Sequence, residues 1–198
     1  MKSIIENYHL DALQSFRNYK KLAERAIEQI SDEDFATTID AESNSVALIV
    51  KHVAGNLRSR WTDFLTSDGE KDFRNRDAEF EMTGDTRESL MKFWEEGWKT
   101  LFENIEPLTV EDFSKTVTIR GESHTLAEAI NRQLTHYAYH IGQIVFLAKH
   151  LKSSEWKTLS VPRNKSGQFN QFLADQQKEG VSKTNRMEAP AVFSEIEK

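Results

Sequence analysis

Residues 131–151 read NRQLTHYAYHIGQIVFLAKHL, and this stretch decides what kind of fold the chain adopts. Tyr137, Ile141, Ile144 and Ala148 recur at spacings of three and four, the mark of an apolar stripe on a helix. His136 and His140 flank that stripe four residues apart, so their side chains leave the same face one turn from each other. Gln133 stands a turn before them and Gln143 a turn after. Two imidazoles at this spacing can grip one metal ion. They can equally be hydrogen-bonded residues at the edge of a core, because HxxxH arises often by chance in helices. Spacing alone leaves both readings open.

Working outward, the helix is expected over 125–151, and three more amphipathic segments precede it. Residues 117–125, VTIRGESHT, alternate and pivot on Gly121, which predicts a short hairpin before this fourth helix. Residues 86–105 carry Phe93, Trp94, Trp98, Leu101 and Phe102 and are stopped by Pro107. Residues 45–66 follow a capping serine and place Val46, Ile49, Val50, Val53, Leu57, Trp61 and Phe64 on one stripe. Residues 3–30 form the first helix, with Leu10, Leu13, Phe16, Leu22, Ala26 and Ile30 facing inward. Between the second and third helices, residues 67–85 are polar, with two glycines and no helical period. That stretch exceeds an ordinary bundle turn and suits a crossover connection. The expectation is an all-α four-helix bundle in a single domain over 1–175, with a short helix at 167–176. A polar C-terminal tail over 176–198 is expected to be flexible.

Composition narrows the function classes. A net charge of −6, with acidic and basic residues mixed along the chain, argues against a nucleic-acid partner, which calls for a concentrated basic face. The absence of cysteine excludes disulfides, thiolate metal ligands and a cysteine nucleophile. No run approaches the roughly 18 apolar residues of a membrane span. Charge interrupts the first residues too early for a signal-peptide core, so a cytoplasmic location is expected.

Six histidines compete for a role. His150 lies roughly 15 Å along the axis from His140 at 1.5 Å per residue and cannot complete the same site. His9 sits among polar neighbours and His124 in the hairpin. His52, one helical position from the stripe of its helix, is the remaining candidate third ligand. Three imidazoles from two helices would hold Zn, Ni or a similar divalent ion and leave positions open for water or substrate. Three neutral ligands leave the ion its full charge, so it can acidify water or bind a thiolate. Tyr137 follows His136, so the HExxH motif with its helix-borne glutamate base is absent. No carboxylate is placed by its spacing as a catalytic base.

Other residues have paired readings. Arg74 and Arg76, with Asp77 and Glu79, can close over the site and hold a carboxylate or thiol cofactor, or can form a solvated loop with local ion pairs. Asn56 and Gln143 can fix the second nitrogen of a ligand ring, or merely satisfy buried groups. Trp61, Trp94 and Trp98 are expected in the core. An exposed apolar helix face would pair two chains, and a homodimer is expected.

Three stretches also carry a resemblance: SNSVALIVKHVAGNLRSRW at 43–61, FRNRDAEFE at 73–81 and LTHYAYHIGQIVFLAKHL at 134–151. With WKTLSVP at 156–162, they resemble the DinB/YfiT-like metalloenzyme superfamily, and within it the DUF1572 branch, over about residues 5–172. The resemblance implies a DinB-like bundle, up-down-down-up, with a divalent metal held at His52, His136 and His140. Relatives in that superfamily include transferases that use bacillithiol, mycothiol or glutathione. By the same resemblance, the expected activity is that of a metal-dependent hydrolase or thiol-dependent S-transferase acting on a small-molecule substrate. The alternatives are a non-catalytic, stress-associated bundle with a structural metal, and a metal-free bundle with core histidines.

Overall fold

The structure, a computed structural model, describes residues 2–178 and 189–196. It is mostly helical, with seven α-helices and one two-stranded sheet among the described residues. The helices are α1 (Ile4–Ile27), α2 (Asp32–Ala36), α3 (Val46–Trp61), α4 (Arg87–Ile105), α5 (Leu126–Lys152), α6 (Ser166–Lys178) and α7 (Ala189–Ile196). Strands β1 (Thr116–Ile119) and β2 (Glu122–Thr125) form the hairpin just before α5. No helix among the described residues is long and apolar enough to cross a membrane.

Caps set the helix boundaries. Ser3, Thr86 and Thr125 each accept a hydrogen bond from the backbone N–H three residues on, and the side chains of Glu6, Ser89 and Glu128 accept in return from the cap N–H. Ser45 caps α3 by accepting from Leu48 N. The same chemistry shortens the first helix. Ser31 adopts an extended backbone to cap α2, so α1 ends at Ile27 rather than at residue 30. The second long helix stops at Trp61, short of residue 66, because Thr62 is extended and Asp63 turns left-handed at φ 47°.

Aromatic residues join the four long helices. Phe16 of α1, Trp61 of α3, Trp98 of α4 and Tyr137 of α5 are all at most 1% exposed. Phe16 lies 6.2 Å from Trp61 and 5.9 Å from Tyr137, centroid to centroid, and Trp98 lies 5.6 Å from Tyr137. These edge-on contacts suit ring quadrupoles and fill the centre. The expectation that Trp61, Trp94 and Trp98 are core residues holds. Helix α3 packs most extensively on α4, and α1 on α5, with α3 also meeting α5 and α1 meeting α4. At the α3–α4 contact a side chain on Gly97 would press within 3.1 Å of both the Ala54 carbonyl oxygen and Leu57 Cβ. Any larger residue would have to push those neighbours back by a few tenths of an ångström.

The hairpin has the predicted place and pivot. Its strands pair from Thr116↔Thr125 to Ile119↔Glu122, and the two turn residues, Arg120 and Gly121, both take positive φ. That is the backbone a two-residue hairpin turn demands. The short helix expected at 167–176 is α6. Helix α7 packs against it, with Phe193 5.3 Å from Phe169 and 5.6 Å from Phe172. The tail expected from residue 176 thus contains a helix, while residues 179–188 and 197–198 lie outside the described residues.

Gly97→Val is expected to force α3 and α4 apart and lower the unfolding free energy by about 1–3 kcal/mol, the usual cost of overpacking. Urea denaturation measures it; an unchanged midpoint would show that the close approach does not matter.

Candidate metal centre

Helix α3 presents His52, Asn56 and Arg60 at successive four-residue steps, and α5 presents His140, His136 and Arg132 in the same way. The imidazoles meet where the two helices face each other. His136 Nε2 lies 3.3 Å from His52 Nε2 and 3.1 Å from His140 Nε2. One ring nitrogen from each of the three lies within 4.8 Å of the other two, a group that could hold a metal ion. Two ligands at about 2.05 Å and a tetrahedral angle would stand about 3.3 Å apart, so the spacing suits a zinc-sized ion.

The outer nitrogens fix the tautomers. Glu79 Oε2 stands 2.8 Å from His52 Nδ1 and, as a carboxylate oxygen, can only accept, so Nδ1 carries the proton and Nε2 a lone pair. Gln143 does the same for His140: its Oε1 accepts from Nδ1 at 2.8 Å, while its amide donates to Tyr139 Oη at 3.2 Å. Two lone pairs therefore point at His136 Nε2. A proton there can satisfy one of them, whereas a cation satisfies all three nitrogens. This donor set fits a metal.

Glu79 is held in turn. Arg74 clasps it with both arms of its fork, Nε to Oε1 at 2.8 Å and Nη2 to Oε2 at 2.9 Å. Both side chains are buried, 3% exposed for Arg74 and 7% for Glu79. Burial alone would raise the Glu79 carboxyl, but the bonds from His52 and Arg74 outweigh it and hold it below the ordinary glutamate range. Phe80, next in the same 3-10 turn (Asp77–Phe80), stacks on the His52 ring at 4.9 Å. Gly55 makes room for this arrangement, since a side chain there would overlap the Glu79 carboxylate.

The site residues named from sequence divide accordingly. His52, His136 and His140 come together. Gln143 is the ring partner expected of it. Asn56 is not: its Oδ1 accepts from the Tyr137 hydroxyl at 3.0 Å, and that hydroxyl accepts from Trp61 Nε1 at 3.1 Å. Burial pushes the Tyr137 hydroxyl far above its usual range, so it stays a neutral donor. Arg74 spends its fork on Glu79, and its remaining Nη1 reaches Glu70 at 3.3 Å. Arg76 is exposed, lies over the Phe80 ring at 5.2 Å and borders the cavity above the histidines. His9 sits elsewhere, its Nε2 2.8 Å from the Ile105 carbonyl oxygen. The residue that sequence reasoning underrated is Glu79. Its signal was present in FRNRDAEFE, where an acid follows Arg74 by five residues, but only the folded loop brings it to His52.

A cavity of about 360 Å³ opens over the three histidines. His136 Nδ1 and Gln133 Oε1 are buried beside it without a hydrogen-bond partner among the described residues. Burial pushes His136 down to about 3, helped by the neighbouring His140, His52 and arginine charges. Burial, with His52, takes His140 to about 4, against a pull upward from Gln143. Both rings are therefore neutral, as metal ligands must be.

Keeping these rings neutral makes stability depend on pH. Unfolded, the imidazoles titrate near 6.5; folded, they resist protonation, so the unfolded chain binds more protons between about pH 4 and 6.5. Stability is complete above that window and falls as pH drops through it. Urea denaturation of chelator-treated protein is expected to give a lower midpoint near pH 5 than near pH 7.5. His136→Leu should flatten the difference; equal wild-type midpoints would contradict the buried, neutral state.

No curated protein and no solved structure matches the chain. A family model does match, that of the protein of unknown function DUF1572, over residues 3–165. That span covers most of the chain and takes in all three histidines, Glu79 and Arg74, so the chain belongs to the DUF1572 family.

Proposed function

We propose that the protein binds a divalent metal ion through His52, His136 and His140 and uses it in catalysis, as a metal-dependent hydrolase or thiol-dependent S-transferase. The observation that carries this reading is the convergence of three Nε2 atoms at the floor of an open cavity. A structural ion takes a closed set of four ligands, whereas a catalytic one keeps a position for water or substrate. Three ligands beneath a cavity fit the second pattern. A bound Zn or Ni ion would supply Lewis acidity, enough to hold water as hydroxide or a cofactor thiol as thiolate.

The chain's own residues then have defined work. Glu79 and Gln143 orient the His52 and His140 rings, and Arg74 keeps Glu79 ionised for that purpose. Burial and neighbouring positive charges keep the His136 and His140 rings neutral. Arg76 at the rim is placed to meet a carboxylate of a low-molecular-weight thiol such as bacillithiol, a role Arg74 is too engaged to fill. The four long helices are read as a DinB/YfiT-like bundle, up-down-down-up. The long connection over residues 62–86 supports this, since a parallel neighbour must be reached from the far end of the preceding helix.

Elemental analysis of untagged, metal-loaded protein is expected to give one divalent ion per chain, lost in His136→Ala and bound 10- to 100-fold more weakly in Glu79→Gln. Stoichiometry near zero after loading would overturn the metal reading. Metal-replete protein given bacillithiol and a model electrophile is expected to turn over above the uncatalysed rate. Turnover at background would reject the transferase and leave the hydrolase to be tested with ester and amide substrates.

A further inference from the structure

The cavity over the histidines has a second chemical end. Five arginines, Arg60, Arg74, Arg76, Arg120 and Arg132, line it, and among the described residues no carboxylate does. This concentration of positive charge stands in a chain whose net charge is −6. Three nearby carboxylates offset part of it, and each is already engaged. Glu79 is clasped by Arg74. Glu70 is shared among Arg74 at 3.3 Å, Arg120 at 3.3 Å and Arg60 at 3.9 Å. Asp68 accepts from the backbone N–H groups of Glu70, Arg120 and Gly121.

Arg76 lies over the Phe80 ring beside His52, and at the other end of the cavity Arg60 and Arg132 keep donors unspent. Arg60 is 5% exposed, yet its Nε and Nη1 have no hydrogen-bond partner among the described residues, and 3.9 Å to Glu70 is too long for one. Gly69 leaves the space into which this side chain folds. Burial, with Arg132 and Arg74 as like charges nearby, pushes Arg60 below the usual arginine range despite the pull of Glu70. Arg132 makes no side-chain hydrogen bond or ion pair among the described residues. A buried arginine with empty donors is costly unless an anion completes it.

Position adds to charge. Arg60 is eight residues beyond His52 on α3, and Arg132 eight residues before His140 on α5. Each interval is about 12 Å of helix rise, so the cavity has an imidazole end and a guanidinium end separated by roughly the length of a small metabolite. We propose that Arg60 and Arg132 form an oxyanion subsite that takes the carboxylate or phosphoryl group of a small substrate whose reacting part lies at the histidines. The placement of the reacting part rests on the metal reading above; the anion site itself does not. Arginine forks match both oxyanions in bidentate fashion, which is the chemistry the two groups share.

Calorimetric titration of the full chain, chelator-treated so that no metal competes for the anion, tests this at pH 8 with inorganic phosphate and with succinate as separate probes. Saturable one-site binding is expected for at least one probe, and the one bound more tightly identifies the oxyanion class. Arg132→Gln, at an exposed position with no partner to lose, is expected to weaken binding about 10- to 100-fold. Arg60→Met should abolish it and Arg60→Lys should recover part of it, with circular dichroism confirming the fold. No saturable binding of either probe, or unchanged binding in Arg132→Gln and Arg60→Met, would overturn the proposal. Anion binding in a protein that takes up no metal would sink the metal reading alone. Metal uptake without anion binding would sink only the subsite.

Discussion

A carboxylate cannot be taken out of water without cations to receive it, and the buried carboxylate of Glu79 is where the structure meets that requirement. Arg74 supplies the charge and His52 a further donor. The consequences spread outward. The 3-10 turn carrying Glu79 also brings Phe80 onto the His52 ring. Gly55 must lack a side chain where the carboxylate rests. The connection over residues 62–86, with little regular structure of its own, gains fixed points from this pair and from Ser59, which donates to the Gly69 carbonyl and accepts from Lys71 N. Gly69 N donates to Thr118 O, and Asp68 holds the hairpin turn through Arg120 N and Gly121 N. A polar segment between two helices thereby becomes one wall of the site.

The other wall depends on Tyr137. Its hydroxyl donates to Asn56 and accepts from Trp61, and its ring packs on Phe16 and Trp98. Tyr137 thus locks α5 to α3 at the level where His136 faces His52. Since His136 directly precedes Tyr137, its ring inherits its position from the core. The rings of the three-histidine group are thus held by the most buried part of the protein.

Much of this could be read from the amino-acid string, because helices announce themselves through local rules. Apolar spacing, with a capping serine at residue 45, located the four long helices, and the folded chain adds caps at Ser3, Thr86 and Thr125. The hairpin came from alternation around Gly121. Two of the three clustered histidines came from helical periodicity, and His52 from elimination. What periodicity could not supply was anything from an aperiodic segment. Glu79 and Arg74 lie in such a segment, and their partners are set by how the loop folds back. Asn56 had two readings, and the structure takes the second: Tyr137 rather than an imidazole occupies its acceptor. Arg60 stayed unnoticed because an arginine near a helix end normally reaches water, and nothing local revealed its burial.

The three histidines and the carboxylate behind them are remote in sequence as well as close in space. His52 is separated from Glu79 by 27 positions and from His136 by 84. One large closure, from His52 to His136, must be complete before the three nitrogens meet, and a second, to Glu79, before the His52 ring is oriented; each carries an entropic cost. Unlike a zinc finger, whose ligands lie within one short segment, this three-histidine group draws on two helices that the core brings together. A nascent chain still lacking residues 136–140 has no three-histidine group to offer an ion, however much of α1 to α4 has formed.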